Sequence, residues 1–544
     1  PPLSMYSSST ECSSFPYDRK IDFLDSNSIL VFGGDLWDKG GFDLYVTRQL
    51  LNLKKRYPDR VVWVLGNRDI NKLRMTQELG LPGPSVPYHP GLTWFRGSGR
   101  VGDPDGPLPS MDSGERLRWI LGNTMGSPDA MEHRRQELLW ESRGCLEEDS
   151  RCISNAENTI SDNEIVRSYQ ESCHPNGEMG RFLSEGLLAA RVGPILFVHG
   201  SLPLTKDTMA EAKDNKSSIW DDLTFCMPWI NKTHHDYDEN HIFSTASDLG
   251  VNKIEDWLGF VNEFCVKNVE AWKKHTLEME KEGTKNMEEI FDERHKEESK
   301  EAIWAYRAGY GNGPSYSGTY YSDLVQYGMG MIPGGKKNPT VVYNSFTPEG
   351  MPTYFLPPEE VNGVDTGGTS SEGSDVAMCT REFFERSPLQ LILTGHKPQG
   401  DMPSPIKVDG SSWVICADTS YSGDTKWFHD HRNSTKPEQM EKRKQLEEEQ
   451  RSNLGRGKSI SFRGETAVSE VLVELSKGAS SLESIRYHGV LSDGTEYESV
   501  DLLGGKQNME TSIGQVAPTS LVPDPSNSPH EGRWWTKGIC RDGS

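Results

Sequence analysis

The chain has 544 residues, 34% of them hydrophobic, with 53 glycines, so it can build a sizeable core and still carry long polar segments. Lys and Arg total 58 against 81 Asp and Glu, a formal charge of −23. That balance argues against a nucleic-acid partner, because affinity for a phosphate backbone rests on cationic neutralisation. No apolar run nears the ~18 residues of a membrane span. Nine scattered cysteines without a Cys-x-x-Cys pair suit a reducing, cytoplasmic setting better than a disulfide framework.

Taken in chain order, Pro1-Pro2-Leu3 lacks an initiator Met and reads as an internal point of a longer product, with residues 1–27 as an N-terminal remnant. Ser28–Phe32 and Arg60–Leu65 are strand-like, and the leucines at 44, 50, 51 and 53 between them recur at helical spacing. The order strand–helix–strand, with short and largely apolar strands, points to an α/β sheet buried on both faces. Phe182–Ala190 reads as a helix leading into the strand Pro194–Val198, and Phe383–Ser387 as a helix leading into Leu389–Leu393. Asn338–Tyr343 reads as a loop entering a strand. Val471–Leu475 and Ser484–Tyr487, followed by Ser492-Asp493-Gly494, read as a terminal hairpin. Glu132–Trp140 is helical by pattern, Lys273–Lys300 is a charged and solvated helix face, and 358–377 is a Gly/Ser-rich loop. The main domain is expected over 28–504 with insertions at about 96–180 and 205–330, and 505–544 reads as a disordered tail. Trp94, Trp119, Trp220 and Trp304 lie in those insertions, where core packing is the first expectation and a substrate wall the second.

Each of the four core strands runs into a polar cluster. The clusters are Gly34-Asp35-Leu36-Trp37-Asp38-Lys39-Gly40, Gly66-Asn67-Arg68-Asp69, His199-Gly200 and Gly395-His396. In open α/β sheets the C-terminal strand edge is where ligands bind. Carboxylate, amide oxygen and imidazole together suit Mn, Fe or Zn. Two such ions ~3.5–4 Å apart can clamp a phosphoryl group and activate a water for in-line attack.

These clusters resemble the calcineurin-like metallophosphoesterase family, whose pattern is Asp-x-His, Gly-Asp-x-x-Asp-Arg-Gly, Gly-Asn-His-Asp/Glu, a His, then Gly-His. Four of the five blocks stand here in order, and the family's Asp-x-His, expected upstream of Asp35, does not. The resemblance implies an α/β/α sandwich of two packed mixed β-sheets with large helical and loop insertions. It implies hydrolysis of phosphate monoesters with two divalent ions in the complete protein, the substrate being a phosphorylated small molecule or a phosphoprotein. Asp35, Asn67, His199 and His396 would be metal ligands, and Asp38 would orient the residue after Asn67. That residue is Arg68, where relatives have His. Arg cannot act as a general acid near neutral pH, but with Lys39 it can hold phosphoryl oxygens. Asp69 and Asp418 are further candidates, the latter after a strand ending at Cys416, itself expected to be a buried small hydrophobe. Pro398, where Gly-His-x-His relatives carry a second His, favours phosphomonoesterases over nucleases. Two alternatives stay open: a scaffold that binds phosphorylated partners, and a nucleotide phosphohydrolase.

Overall fold

The computed structural model describes residues 21–82, 112–143, 160–203, 253–282, 322–332, 336–337, 340–346, 380–381, 383–385, 387–397, 403–408, 411–419, 468–490, 496–499 and 501–503. Trp94, Trp220 and Trp304, the 358–377 loop, residues 283–300, the Ser492–Gly494 turn and the 505–544 tail lie outside them. The elements begin β1 (Leu30–Phe32), α1 (Asp43–Arg56), β2 (Val61–Trp63), α2 (Asn67–Asn71), α3 (Met75–Glu78), α4 (Ser113–Trp119), α5 (Ala130–Arg143), α6 (Asp162–Cys173) and α7 (Glu178–Glu185). They continue β3 (Ala189–Val192), β4 (Ile195–Val198), α8 (Ile254–Glu282), α9 (Ser322–Gly328), β5 (Met331–Ile332) and β6 (Lys336–Lys337). The last are β7 (Leu391–Thr394), β8 (Ser404–Lys407), β9 (Trp413–Cys416), β10 (Val468–Leu475), β11 (Leu482–Val490) and β12 (Glu496–Glu498). The chain divides into one unit of Pro1–Leu187, Trp229–Tyr237 and Glu263–Lys337, and a second of Leu188–Pro228, Asp238–Asn262 and Asn338–Ser544.

In the first unit β1 and β2 pair in parallel, Leu30 opposite Val61 and Phe32 opposite Trp63. Between them α1 buries Leu44, Thr47, Leu50 and Leu53 along one stripe. Asp43 in its first turn and Lys54, Lys55 and Arg56 in its last complement the helix dipole. Trp63 stacks on Phe182 with centroids 4.9 Å apart, and its indole N–H donates to the Phe182 carbonyl at 2.9 Å. The segment from α4 to α7 contributes Leu117, Ile120, Met131, Ile165, Tyr169 and Met179 to one apolar cluster with Trp37 and Leu44. Trp119 packs partly buried against the same cluster, so it serves the core. Helix α6 starts on a capping box, in which Glu164 accepts the Ser161 N–H at 2.8 Å and Ser161 Oγ accepts the Glu164 N–H at 3.3 Å.

A buried polar cluster ties α5 to the start of α1. Glu137 accepts the Tyr45 N–H at 2.7 Å and the Leu44 N–H at 3.4 Å. Arg134, lying 4.3 Å over the Tyr169 ring, bridges to Asp43 at 2.9 Å and donates to Ser168 Oγ at 3.0 Å. Burial, reinforced by the Asp43 carboxylate, pushes the Glu137 carboxyl up to about 8.

The second unit holds a five-stranded mixed sheet in the order β3-β4-β7-β9-β8. Strands β4, β7 and β9 run parallel, while β3 and β8 are antiparallel edges. The antiparallel sheet β10-β11-β12 lies on one face of it. Val471, Val473, Leu475, Ile485 and Tyr487 pack there with Ile195, Leu391, Trp413 and Ile415. The terminal hairpin thus has a third strand and forms the second layer of a sheet-on-sheet core. Both parallel and mixed sheets flanked by helices are present, an α/β fold.

Two local readings are corrected. Ala189 and Ala190 belong to β3, paired with Val198 and Phe197, and the helix before them ends at Glu185. Val341–Tyr343 is a turn, not the start of a strand, because Thr340 Oγ1 accepts the N–H groups of Val342 (3.3 Å) and Tyr343 (3.1 Å). The charged run from Lys273 is helical as far as α8 extends, with Lys273 pairing Glu270 at 3.0 Å on an exposed face and Trp272 and Thr276 buried. No helix among the described residues is long and apolar enough to cross a membrane.

Candidate functional site

In the first unit, the loops that follow β1 and β2 are joined by one carboxylate. Asp69 Oδ2 accepts the Asp35 N–H and the Gly66 N–H, each at 2.9 Å. In return Asp35 Oδ1 accepts the Arg68 N–H at 2.8 Å. Asp35 sits in left-handed backbone (φ 52°), a region Asp tolerates better than most residues but which still costs a non-glycine about 1–2 kcal/mol. Gly66 makes the approach possible. A Cβ there would overlap the Asp35 backbone nitrogen and Oδ1, and would stand 2.7 Å from its carboxyl carbon. Asn67, 3% exposed, opens α2 on the same loop.

Asp38 meets Arg68, Oδ1 to Nε 3.1 Å, with the Asp38 side chain 7% and the Arg68 side chain 20% exposed. A second guanidinium nitrogen of Arg68 donates to the Met125 carbonyl. Lys39 follows in the same half-buried bend. Beneath the pair lies Lys72, which motif reading did not single out. Its ammonium donates to the Trp37 carbonyl at 2.9 Å and the Arg68 carbonyl at 3.2 Å, fastening the residue before Asp38 to Arg68 itself. Burial, then the Arg68 charge, pushes the Lys72 pKa down. The bracketing role of Asp69 and the clearance at Gly66 were likewise invisible in the motif, since both depend on two loops 32 residues apart meeting in space.

In the second unit, His199 follows β4 and His396 follows β7, two neighbouring parallel strands, so their rings meet edge to face with centroids 5.4 Å apart. They are 2% and 7% exposed. Backbone bonds set the pair: Gly395 N–H donates to the His199 carbonyl at 2.9 Å, and the Thr394 hydroxyl donates to the Gly200 carbonyl. His396 is also left-handed (φ 70°). Asp418, after β9, stands beside Gly395; a Cβ built on that glycine would lie 3.8 Å from Asp418 Cβ and 3.7 Å from His199 Nδ1. Cys416 is buried, its thiol directed at the Lys397 carbonyl (3.3 Å), the small-hydrophobe role expected of it.

Carboxylate, amide and imidazole are donor types that suit a divalent cation. The first unit offers the Asp35 carboxylate, which accepts the Arg68 N–H, and the buried Asn67 amide, and the second offers the buried His199 and His396 imidazoles. Strained non-glycine backbone at Asp35 and His396, both just past core strand ends, is the kind of distortion that clusters at functional sites. No curated protein and no solved structure matches the chain. Residues 17–154, which contain the whole Asp35–Asp69 corner, match the calcineurin-like phosphoesterase family.

Proposed function

We propose that the chain is a metal-dependent phosphoesterase acting on phosphate monoesters, its substrate a phosphorylated small molecule or a phosphoprotein. The family match over residues 17–154 supports phosphoester hydrolysis in general, and one observation carries the reading to this site. Asp35 and His396, two residues of donor type, are both held in left-handed backbone at strand ends. In this reading Asp35, Asn67, His199 and His396 are the metal ligands, with Mn, Fe or Zn as the candidate ions. The donor atoms on offer include a carboxylate oxygen of Asp35 and ring nitrogens of His199 and His396. When bound, two divalent ions supply Lewis-acid stabilisation of the phosphoryl oxygens and lower the pKa of an attacking water.

The chain's own residues do the rest. Asp38 fixes the Arg68 guanidinium, Arg68 and Lys39 neutralise phosphoryl charge, and Asp69 keeps the Asp35 loop in place. Asp418 stands as a further candidate beside the histidine pair. Free, buried Cys173, Cys265 and Cys416 support a reducing, cytoplasmic setting.

Hydrolysis of p-nitrophenyl phosphate with Mn²⁺, compared between the wild type and Asp35→Asn, tests the reading. The expected result is metal-dependent turnover that falls at least about 100-fold in the variant, as several kcal/mol of charge stabilisation are withdrawn. Equal rates in both proteins, or none above the metal-free blank, would overturn it. The second outcome would favour a scaffold that binds phosphorylated partners, a reading to which one observation lends weight: Arg68 is already engaged by Asp38 and the Met125 carbonyl.

A further inference from the structure

Tyr343 has no part in the residue sets described above, yet its ring lies against His396, centroids 5.0 Å apart and planes tilted by 49°. Its position is built, not incidental. Thr340 closes the 340–343 turn through its hydroxyl oxygen, as described. The turn is then fastened to the loop after β4. Gly200 N–H donates to the Val341 carbonyl at 2.6 Å, and the two backbones approach so closely that a Cβ at Gly200 would lie 2.7 Å from the Asn344 carbonyl oxygen and 2.8 Å from the Val342 carbonyl carbon. The backbone that carries Tyr343 is thus tied to the residue next to His199, while its ring touches His396.

The burial along this row changes sharply. His199 is 2% exposed and His396 7%, whereas Tyr343 is 37% exposed. One aromatic ring therefore contacts buried His396 on one side and water on another. A ring in that position offers a stacking surface to whatever organic group is joined to a phosphoryl group held at His396.

We propose that Tyr343 is a specificity-determining residue that selects phosphoesters of aromatic alcohols over those of aliphatic ones. The proposal rests on the phosphoesterase reading above. An aromatic pair contributes about 0.5–1.5 kcal/mol beyond its area burial, which corresponds to a preference of about 2- to 10-fold.

The test is isothermal titration calorimetry of the full chain loaded with Mn²⁺, using phenylphosphonate and cyclohexylphosphonate. These are stable phosphate mimics of like size that differ in their π face. The wild type is expected to prefer the phenyl ligand about 2- to 10-fold. Tyr343→Phe keeps the ratio and Tyr343→Leu brings it to about one, with cyclohexylphosphonate affinity retained as the sign of an intact site. A wild type without preference, or Tyr343→Leu keeping it, overturns the role of Tyr343. Loss of the ratio in Tyr343→Phe overturns the stacking account in favour of the hydroxyl. Failure of the wild type to bind either phosphonate overturns the phosphoesterase reading itself, and is thereby told apart from failure at Tyr343.

Discussion

The Asp35–Asp69 corner of the first unit and the His199–His396 corner of the second both hold donors past the ends of parallel strands, but by opposite means. In the first, a side chain organises backbone: the Asp69 carboxylate gathers the N–H groups of Asp35 and Gly66. In the second, backbone organises side chains. Gly395 N–H reaches the His199 carbonyl, Gly200 N–H reaches Val341, and the imidazoles then pack ring on ring. The lesson is that the first corner has a single point of failure. The second shares its restraint among several bonds, each worth only about 1 kcal/mol net.

Substitution of the two close-approach glycines should show the contrast most strongly. Gly66→Ala drives a methyl into the Asp35 backbone nitrogen and carboxylate, and is expected to abolish the proposed activity and lower stability by about 3 kcal/mol or more. Gly200→Ala meets only carbonyl groups of the 341–344 turn, from 2.7 Å outward, and should cost about 1–3 kcal/mol by shifting that turn. Thermal melts of both variants check the order, and a larger loss for Gly200→Ala would erase the asymmetry.

Asp69→Ala should come next. It leaves the buried Gly66 N–H without its acceptor, at about 1–3 kcal/mol, and the part-buried Asp35 N–H likewise, at about 1 kcal/mol, so a loss of about 2–4 kcal/mol is expected in urea denaturation. Asp69→Asn keeps one acceptor oxygen and should recover more than half of that. Equal losses in the two variants would show that charge, and not the pair of accepted bonds, is what the corner needs.

The smallest effect separates the corner from the scaffold behind it. Glu137 has its proton held in the folded state, so its usual value of 4.5 rises to about 8. The folded protein therefore binds a proton the unfolded chain has released between those values. The stability that this gives is complete below about pH 4.5 and is lost as pH rises through about 8. Wild type minus Glu137→Gln, followed by melting temperature against pH, should show this decline over that window. A flat difference would mean the carboxyl is already ionised against Arg134.

Much of this was legible in the chain. Strands at Leu30–Phe32, Val61–Trp63, Ile195–Val198 and Leu391–Thr394 could be read because short apolar runs ending in Gly-Asp, Gly-Asn, His-Gly and Gly-His have few other uses. The intervening segments were harder. Leu117, Ile120, Ile165 and Tyr169 sit in stretches whose composition is polar on average, and only their spacing in the folded helices gathers them around Trp37. Ala189–Ala190 failed as a helix reading because four small and apolar residues carry no period, and Val341–Tyr343 failed as a strand because one threonine hydroxyl outweighed two valines. Lys72 and Tyr343 escaped motif reading for a different reason. What each does is fixed by partners in other segments, Lys72 by the Trp37 carbonyl and Tyr343 by the His396 ring.

The ring of bonds Asp35–Asp69–Gly66–Arg68 has a mechanical consequence. The carboxylate of Asp35 is tethered through its own N–H on one side and through the Arg68 N–H on the other, so it cannot swing without dragging both loops. If Asp35 is a metal ligand as proposed, a carboxylate mounted this stiffly could not follow an ion of the wrong radius inward or outward, and discrimination among cations would fall to size before charge.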